Sequence, residues 1–206
     1  MKQLNFLSDQ SEHQDVTTDI FDYRPSIICK ADCERYLKVL LNDTPWVQTS
    51  QLMYGKTVTT PRLTAWYGDP NTDHSVEGQG SPTLPWTLEL LEIKAKVESI
   101  SGITFNSVLL NYYRDQNDSV AWHSDRDGVP RRNKYVASVS FGQERLFDLR
   151  KKDDPTKAFS VLLEDGSYLL MKGEFQDKWQ HRIAKSRLAM GPRINLTFRI
   201  SRKRNE

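Results

Sequence analysis

Apolar positions in the second half of the chain alternate with polar ones, whereas in the first half they recur every three or four residues. The sharpest case of alternation is Arg193-Ile194-Asn195-Leu196-Thr197-Phe198-Arg199-Ile200: Ile194, Leu196, Phe198 and Ile200 line one face, and Arg193, Asn195, Thr197 and Arg199 the other. Similar runs predict strands over 104–113, 135–141, 145–150, 158–163, 167–172, 179–184 and 193–200. Turn signals at Gly142-Gln143, Asp153-Asp154-Pro155 and Glu164-Asp165-Gly166 separate several of them. Upstream, Asp32 is placed to cap a helix running to about Leu41, with Tyr36, Leu37, Leu40 and Leu41 on its buried face. Pro85 opens a second helix to about Ile100, with Leu84, Leu88, Leu91 and Ala95 in register and Gly102 ending it. Residues 47–67 read as extended strands with a turn at Gly55, and 68–83 as a loop dense in Gly, Pro, Asn and Ser. Residues 1–24 are polar and aperiodic, a loose arm with Ile20, Phe21 and Tyr23 docking. Two helices followed by seven or eight strands predict an α+β, mainly β fold: a double-stranded jelly roll backed by N-terminal helices, formed by 25–206 as one domain.

Composition agrees with one ordinary globular domain. The chain has 206 residues and a mass of 23.9 kDa, with 27% charged and 37% apolar residues. No run approaches the ~20 apolar residues of a membrane span, and the N-terminus lacks the basic-then-apolar pattern of a signal peptide. Cys29 and Cys33, four apart at the start of the first predicted helix, read as reduced thiols. A cytoplasmic monomer, nuclear in a eukaryote, is the expectation. The net charge of +2 is unevenly spread. Acids predominate in residues 1–24, and basic clusters stand at Arg131/Arg132/Lys134, Arg150/Lys151/Lys152 and Arg202/Lys203/Arg204. Several such clusters on a small domain fit a nucleic-acid partner.

The candidate chemistry lies in Trp122-His123-Ser124-Asp125 and Trp179-Gln180-His181-Arg182. Two imidazoles and one carboxylate hold Fe(II) on one face and leave the other open. The i, i+2 spacing puts His123 and Asp125 on one side of an extended segment, so the third ligand must come from a distant strand, and His181 is available. The polar face of 193–200 carries two Arg and no acid. Arg presents a planar fork suited to carboxylates, and two such side chains could bracket a short dicarboxylate. In Ser107-Val108-Leu109-Leu110-Asn111-Tyr112-Tyr113, Asn111 and Tyr113 share a face. Triad, paired Arg and Asn/Tyr face together suggest iron with 2-oxoglutarate as co-substrate.

Five blocks carry a resemblance to a known family: Pro61-Arg62-Leu63-Thr64-Ala65-Trp66-Tyr67-Gly68-Asp69, Ser119-Val120-Ala121-Trp122-His123-Ser124-Asp125, Ala137-Ser138-Val139-Ser140-Phe141-Gly142, Trp179-Gln180-His181-Arg182 and Arg193 through Arg199. In this order, over roughly residues 50 to 201, they resemble the AlkB family of Fe(II)/2-oxoglutarate dioxygenases, in its nucleic-acid alkylation repair branch. The resemblance implies that His123, Asp125 and His181 ligate iron. It implies that Arg193, with Tyr113, holds the distal carboxylate of 2-oxoglutarate, that Arg199 and Asn111 sit near its metal-chelating end, and that Asn195 and Thr197 are supporting positions.

The activity so implied consumes O₂ and 2-oxoglutarate, gives succinate and CO₂, and hydroxylates an N-methyl group that then leaves as formaldehyde. The substrate would be alkylated DNA of the 1-methyladenine or 3-methylcytosine type, flipped out of the stack or already unpaired. The family pattern makes Trp66 or Tyr67 the stacking platform, one lining the pocket and the other packing in the core, within a nucleotide-recognition segment of about 47–83. Asp127 could favour a cationic base, although Arg126 stands where the branch has adjacent acids. Tyr54, before Gly55-Lys56, matches an aromatic that enters the base stack in the branch's duplex-preferring member. The alternatives are a demethylase acting on RNA or protein with the same chemistry, and a catalytically silent nucleic-acid-binding jelly roll.

Overall fold

Alternation places a strand's side chains on two faces, and the strands here use both. The computed structural model describes residues 15–53, 56–73, 83–125 and 135–203. Its strands are β1 (Val16–Thr17), β2 (Phe21–Arg24), β3 (Ser50–Met53), β4 (Lys56–Thr59), β5 (Leu63–Gly68), β6 (Thr72–Asp73), β7 (Ser107–Tyr113), β8 (Val120–His123), β9 (Val136–Gly142), β10 (Arg145–Lys151), β11 (Ala158–Leu163), β12 (Tyr168–Met171), β13 (Trp179–Ile183), β14 (Arg193–Arg199) and β15 (Arg202–Lys203). Helices α1 (Lys30–Asp43), α2 (Leu88–Ser101) and the one-turn α3 (Phe175–Lys178) complete the described residues. Seven strands form the major sheet in the order β1-β2-β12-β9-β14-β7-β5, and four form the minor sheet, β11-β10-β13-β8. The pairings within these two sheets are antiparallel, as in a jelly roll.

The major sheet is buried on both faces at β14. Ile194, Leu196 and Phe198 join a core with Cys33, Tyr36 and Leu40 of α1 and Leu90, Ile93 and Val97 of α2. On its other side the sheet meets the minor sheet. Phe21, Tyr23, Tyr113, Val136, Leu169 and Met171 pack there against Phe147, Leu149, Leu163, Ile183 and Phe175. That second core fills only part of the space between the sheets. Arg193, Asn195, Thr197 and Arg199 occupy the same side of the major sheet and are also buried. The strand turns at Gly142 with φ +84, where a Cβ would stand 2.5 Å from the Pro192 carbonyl, so glycine is required.

Three expectations about the frame are corrected. Asp32 does not cap α1: Cys29 occupies the cap position, its side chain accepting from no backbone N–H of the first turn, and Asp32 lies in that turn, accepting from Cys29 Sγ at 3.2 Å. There its charge still suits the positive end of the helix dipole. In α2 the buried stripe is Leu90, Ile93 and Val97, while Leu88, Leu91 and Ala95 face solvent and Leu84 precedes the helix. The segment is apolar on several sides, so two stripes compete on paper; Thr87, whose Oγ accepts from Leu90 N, sets the start and with it the face. Gly102 does end the helix, at φ +69. Finally, residues 21–24 of the presumed arm are a strand of the major sheet, paired with β12, with Phe21 and Tyr23 buried.

Candidate active site

β8 and β13 are neighbours in the minor sheet, with His123 directly opposite His181 and their ring centroids 4.3 Å apart. Asp125 lies just past the end of β8. Its Oδ1 is 3.7 Å from His123 Nε2 and its Oδ2 3.8 Å from His181 Nε2. One donor atom from each of the three lies within 4.8 Å of the others, a grouping able to hold a metal ion. His123 Nδ1 sits 2.8 Å from the Ala121 carbonyl, which can only accept. Nδ1 therefore carries a proton, and Nε2 is the ring nitrogen turned toward Asp125. His181 is buried against Phe147 and Phe175. Burial, and then His123, push its pKa well below the ordinary histidine value, which leaves the neutral imidazole that a metal requires.

The Asp125 carboxylate is gripped from two directions. Arg199 Nη2 donates to Oδ1 at 2.9 Å across the gap between the sheets, and Gln176 Nε2 donates to Oδ2 at 3.2 Å. Arg199 also lies over the Trp66 ring, 5.6 Å from its centroid. The other end of the β14 polar face is different. Arg193 is 1% exposed, donates Nη2 to Ser140 Oγ at 3.0 Å and stacks on Tyr113 at 5.1 Å. Its Nε and Nη1 are buried with no hydrogen-bond partner among the described residues. Burial lowers its pKa to about 10, so it remains cationic at neutral pH. A buried cation with two unpartnered donor atoms is costly unless an anion meets it, and a carboxylate matches that fork. The donor sets thus fit a metal at one end and a carboxylate at the other.

Between them, Asn111 Oδ1 accepts from Arg62 Nε at 2.7 Å, which leaves the amide NH₂ of Asn111 to donate elsewhere. Asn195 donates to Ser138 Oγ and the Val139 carbonyl, and accepts from Thr197 Oγ, so this pair is internally satisfied. Of the two aromatic candidates, Trp66 is on the site side beneath Arg199. Tyr67 packs in the helix-side core, as alternation along β5 dictates. Asp127, Tyr54 and the Arg131/Arg132/Lys134 cluster lie outside the described residues. In the second basic cluster, Arg150 bonds Gln180 and stacks on Trp122, and Lys152 donates to the Gln176 carbonyl. Arg62, Gln176, Ser138, Ser140 and Arg145 were not singled out from sequence. Arg145 lies over Tyr113 at 5.6 Å and donates to the carbonyls of Asp115, Asp118 and Ala184. Gln176 and Arg145 are isolated polar residues with no sequence signal for such contacts, whereas Arg62, Ser138 and Ser140 stand inside blocks that carry the family resemblance without a role of their own.

Comparison with known proteins decides the family. Residues 22–199 match the 2OG-Fe(II) oxygenase superfamily. The chain belongs to it. Over 184 residues it is 38% identical to the alpha-ketoglutarate-dependent dioxygenase alkB homolog 3 of Homo sapiens and to that of Bos taurus, an overlap of 85% of this chain and 64% of each relative. It is 34% identical over 154 residues to the DNA oxidative demethylase ALKBH2 of Homo sapiens, covering 71% of this chain and 59% of that protein. The chain therefore spans just under two thirds of the length of these relatives. The solved structure of OsALKBH1 superposes with a TM-score of 0.62 at 16% identity, covering 91% of this chain and all of that one, and supports the jelly-roll fold. The resemblance to AlkB proteins is borne out, and the family's iron and 2-oxoglutarate fit the donor sets described above. Among the described residues no helix is long and apolar enough to cross a membrane.

Proposed function

We propose that this protein is an Fe(II)/2-oxoglutarate-dependent oxidative demethylase of N-alkylated bases in DNA. The observation that carries the reading is one strand face with two unlike ends: Arg199 on Asp125 of the His-Asp-His group, and Arg193 with two buried, unpartnered donors. In this reading His123, Asp125 and His181 hold the metal and Arg193 takes the distal carboxylate of 2-oxoglutarate beside Tyr113. Asn111, its amide fixed by Arg62, and Arg199 serve the other end of the co-substrate, and Asn195 and Thr197 brace the strand face. Bound iron, with 2-oxoglutarate and O₂, supplies the oxidation that hydroxylates an N-methyl group; the product sheds formaldehyde and restores the base. Trp66, Asp127 and Tyr54 are assigned to the substrate: Trp66 as a ring near the base, Asp127 for a cationic base and Tyr54 as the group that fills the stack.

The DNA assignment draws support from ALKBH2, which is named a DNA oxidative demethylase, and from the basic clusters in the sequence. The test is formaldehyde and succinate release from matched DNA and RNA oligonucleotides carrying 1-methyladenine. Release from DNA is expected, with His123→Ala inactive because an iron ligand is lost. Release from RNA alone would reassign the substrate, and no 2-oxoglutarate turnover on either would overturn the enzyme reading.

A further inference from the structure

Gln176 is 3% exposed in the one-turn helix that precedes β13, and it meets Asp125 at two points. The Asp125 backbone N–H donates to Gln176 Oε1 at 2.8 Å, and Gln176 Nε2 donates to Asp125 Oδ2 at 3.2 Å. A backbone N–H can only donate and a carboxylate only accept, so the orientation of the amide is unambiguous. No other uncharged side chain of this length offers a donor and an acceptor side by side; Glu would lack the donor and Met would lack both. The amide nitrogen also meets Met171 Sδ at 3.4 Å, which closes its second donor direction within the core.

The turn carrying Gln176 is itself tied down. Lys152 Nζ donates to the Gln176 carbonyl at 2.7 Å, and the Lys152 N–H donates to the Lys178 carbonyl at 2.9 Å. Ser124 Oγ, next to Asp125, donates to the Trp179 carbonyl at 2.7 Å. Asp125 leaves β8 immediately after His123, where the ladder no longer fixes its backbone. Arg199 holds one oxygen of the carboxylate, and Gln176 holds the other oxygen together with the main-chain N–H.

We infer that Gln176 is a positioning residue that fixes both the backbone and the carboxylate of Asp125 in the orientation from which it ligates the metal. This rests on the proposed reading of His123, Asp125 and His181 as metal ligands. Supporting bonds to metal ligands of this kind change metal affinity by about tenfold to a hundredfold when removed.

The experiment uses the full chain, freed of metal and titrated with Co(II) alone, followed by visible absorption and calorimetry, with the melting temperature of the metal-free protein measured in parallel. Gln176→Met is expected to weaken Co(II) binding by roughly tenfold to a hundredfold and to alter the shape of the absorption band, because the carboxylate approaches at a different angle. Should that variant not fold, Gln176→Ala, which leaves room for water at both polar contacts, is read in the same way. Wild-type affinity with a wild-type band overturns the inference, as does a lowered melting temperature with both unchanged, which marks Gln176 as merely structural. The controls separate this from failure of the underlying reading. If the wild-type chain bound no Co(II), or if Asp125→Ala bound it as tightly, the metal site itself would fall and the role of Gln176 with it.

Discussion

The two faces of β14 are equally buried and chemically opposite. Ile194, Leu196 and Phe198 are fully buried in a hydrophobic core shared with residues of α1 and α2. Arg193, Asn195, Thr197 and Arg199, on the other face, are nearly as inaccessible, yet they line the gap to the minor sheet and face the His-Asp-His group. Burial on the first face stabilises the fold. On the second it prepares a binding site, because desolvated cations attract anions far more strongly than exposed ones. The two arginines show this in different ways. Among the described residues Arg199 has an acid partner, whereas Arg193 has a hydroxyl, an aromatic ring and two unpartnered donor atoms.

The largest expected effect on the protein free of metal and co-substrate comes from Arg199→Met. It leaves the Asp125 carboxylate buried without its cation, and breaking a buried pair in this way costs about 3–5 kcal/mol. For a chain of this size that corresponds to roughly 6–20 °C in melting temperature. Calorimetry of the metal-free variant checks it, and an unchanged melting temperature would mean that the pair is not formed in solution.

Leu196→Ala tests the apolar face. It removes packing from the helix-side core and should cost about 2–5 kcal/mol, while 2-oxoglutarate affinity in the still-folded protein stays at the wild-type value. Arg193→Met should do the reverse. Removing a buried cation without an acid partner leaves the melting temperature of the ligand-free protein unchanged or raises it. Co-substrate affinity then falls by roughly ten- to a hundredfold, the value of about 1.5–3 kcal/mol for a hydrogen bond to a charged group. Arg193→Lys should recover only part of that loss, since a single ammonium cannot reproduce the planar fork. Equal affinity in Arg193→Met and wild type would make Arg193 a structural residue and erase the contrast between the faces.

How much of this was legible in the sequence follows from the range of the forces involved. Most strands from residue 107 onward were readable because alternation is a local consequence of the pleat, and β14 carried both of its faces in seven consecutive letters; the short β8 and β15 were not among them. His123 and Asp125 were readable from their spacing, and His181 from its chemistry, although only the fold shows it opposite His123. The buried face of α2 was not readable, because Leu88, Leu90, Leu91 and Ile93 offer apolar surface in several directions and the position of Thr87 chooses between them. The roles of Gln176, Arg62 and Ser140 were not readable, although Arg62 and Ser140 stand inside blocks that carry the family resemblance. Each matters through contact with one residue at least 49 positions away, and no local pattern encodes that. The strand at 21–24 was hidden in the same way: its partner is β12, far along the chain.

The smallest effect concerns the closed side of the sheet. Cys33 lies in the helix-side core, 1% exposed, and burial, followed by the nearby Asp165, pushes its thiol up to about 12. Cys29, four residues earlier, is exposed. A raised pKa removes the nucleophile, because only the thiolate reacts. At pH 8 a thiol at about 12 is ionised to about one part in ten thousand, against roughly a quarter for an unperturbed one near 8.5. Alkylation of the native protein at pH 8 should therefore add a single group, at Cys29, and unfolding in urea should add the second. Mass spectrometry of the peptide containing both residues reads the result directly. A second adduct in the native protein, formed as fast as the first, would show that the helix layer opens while the sheet remains folded. The apolar face would then be no more closed than the face that carries the site.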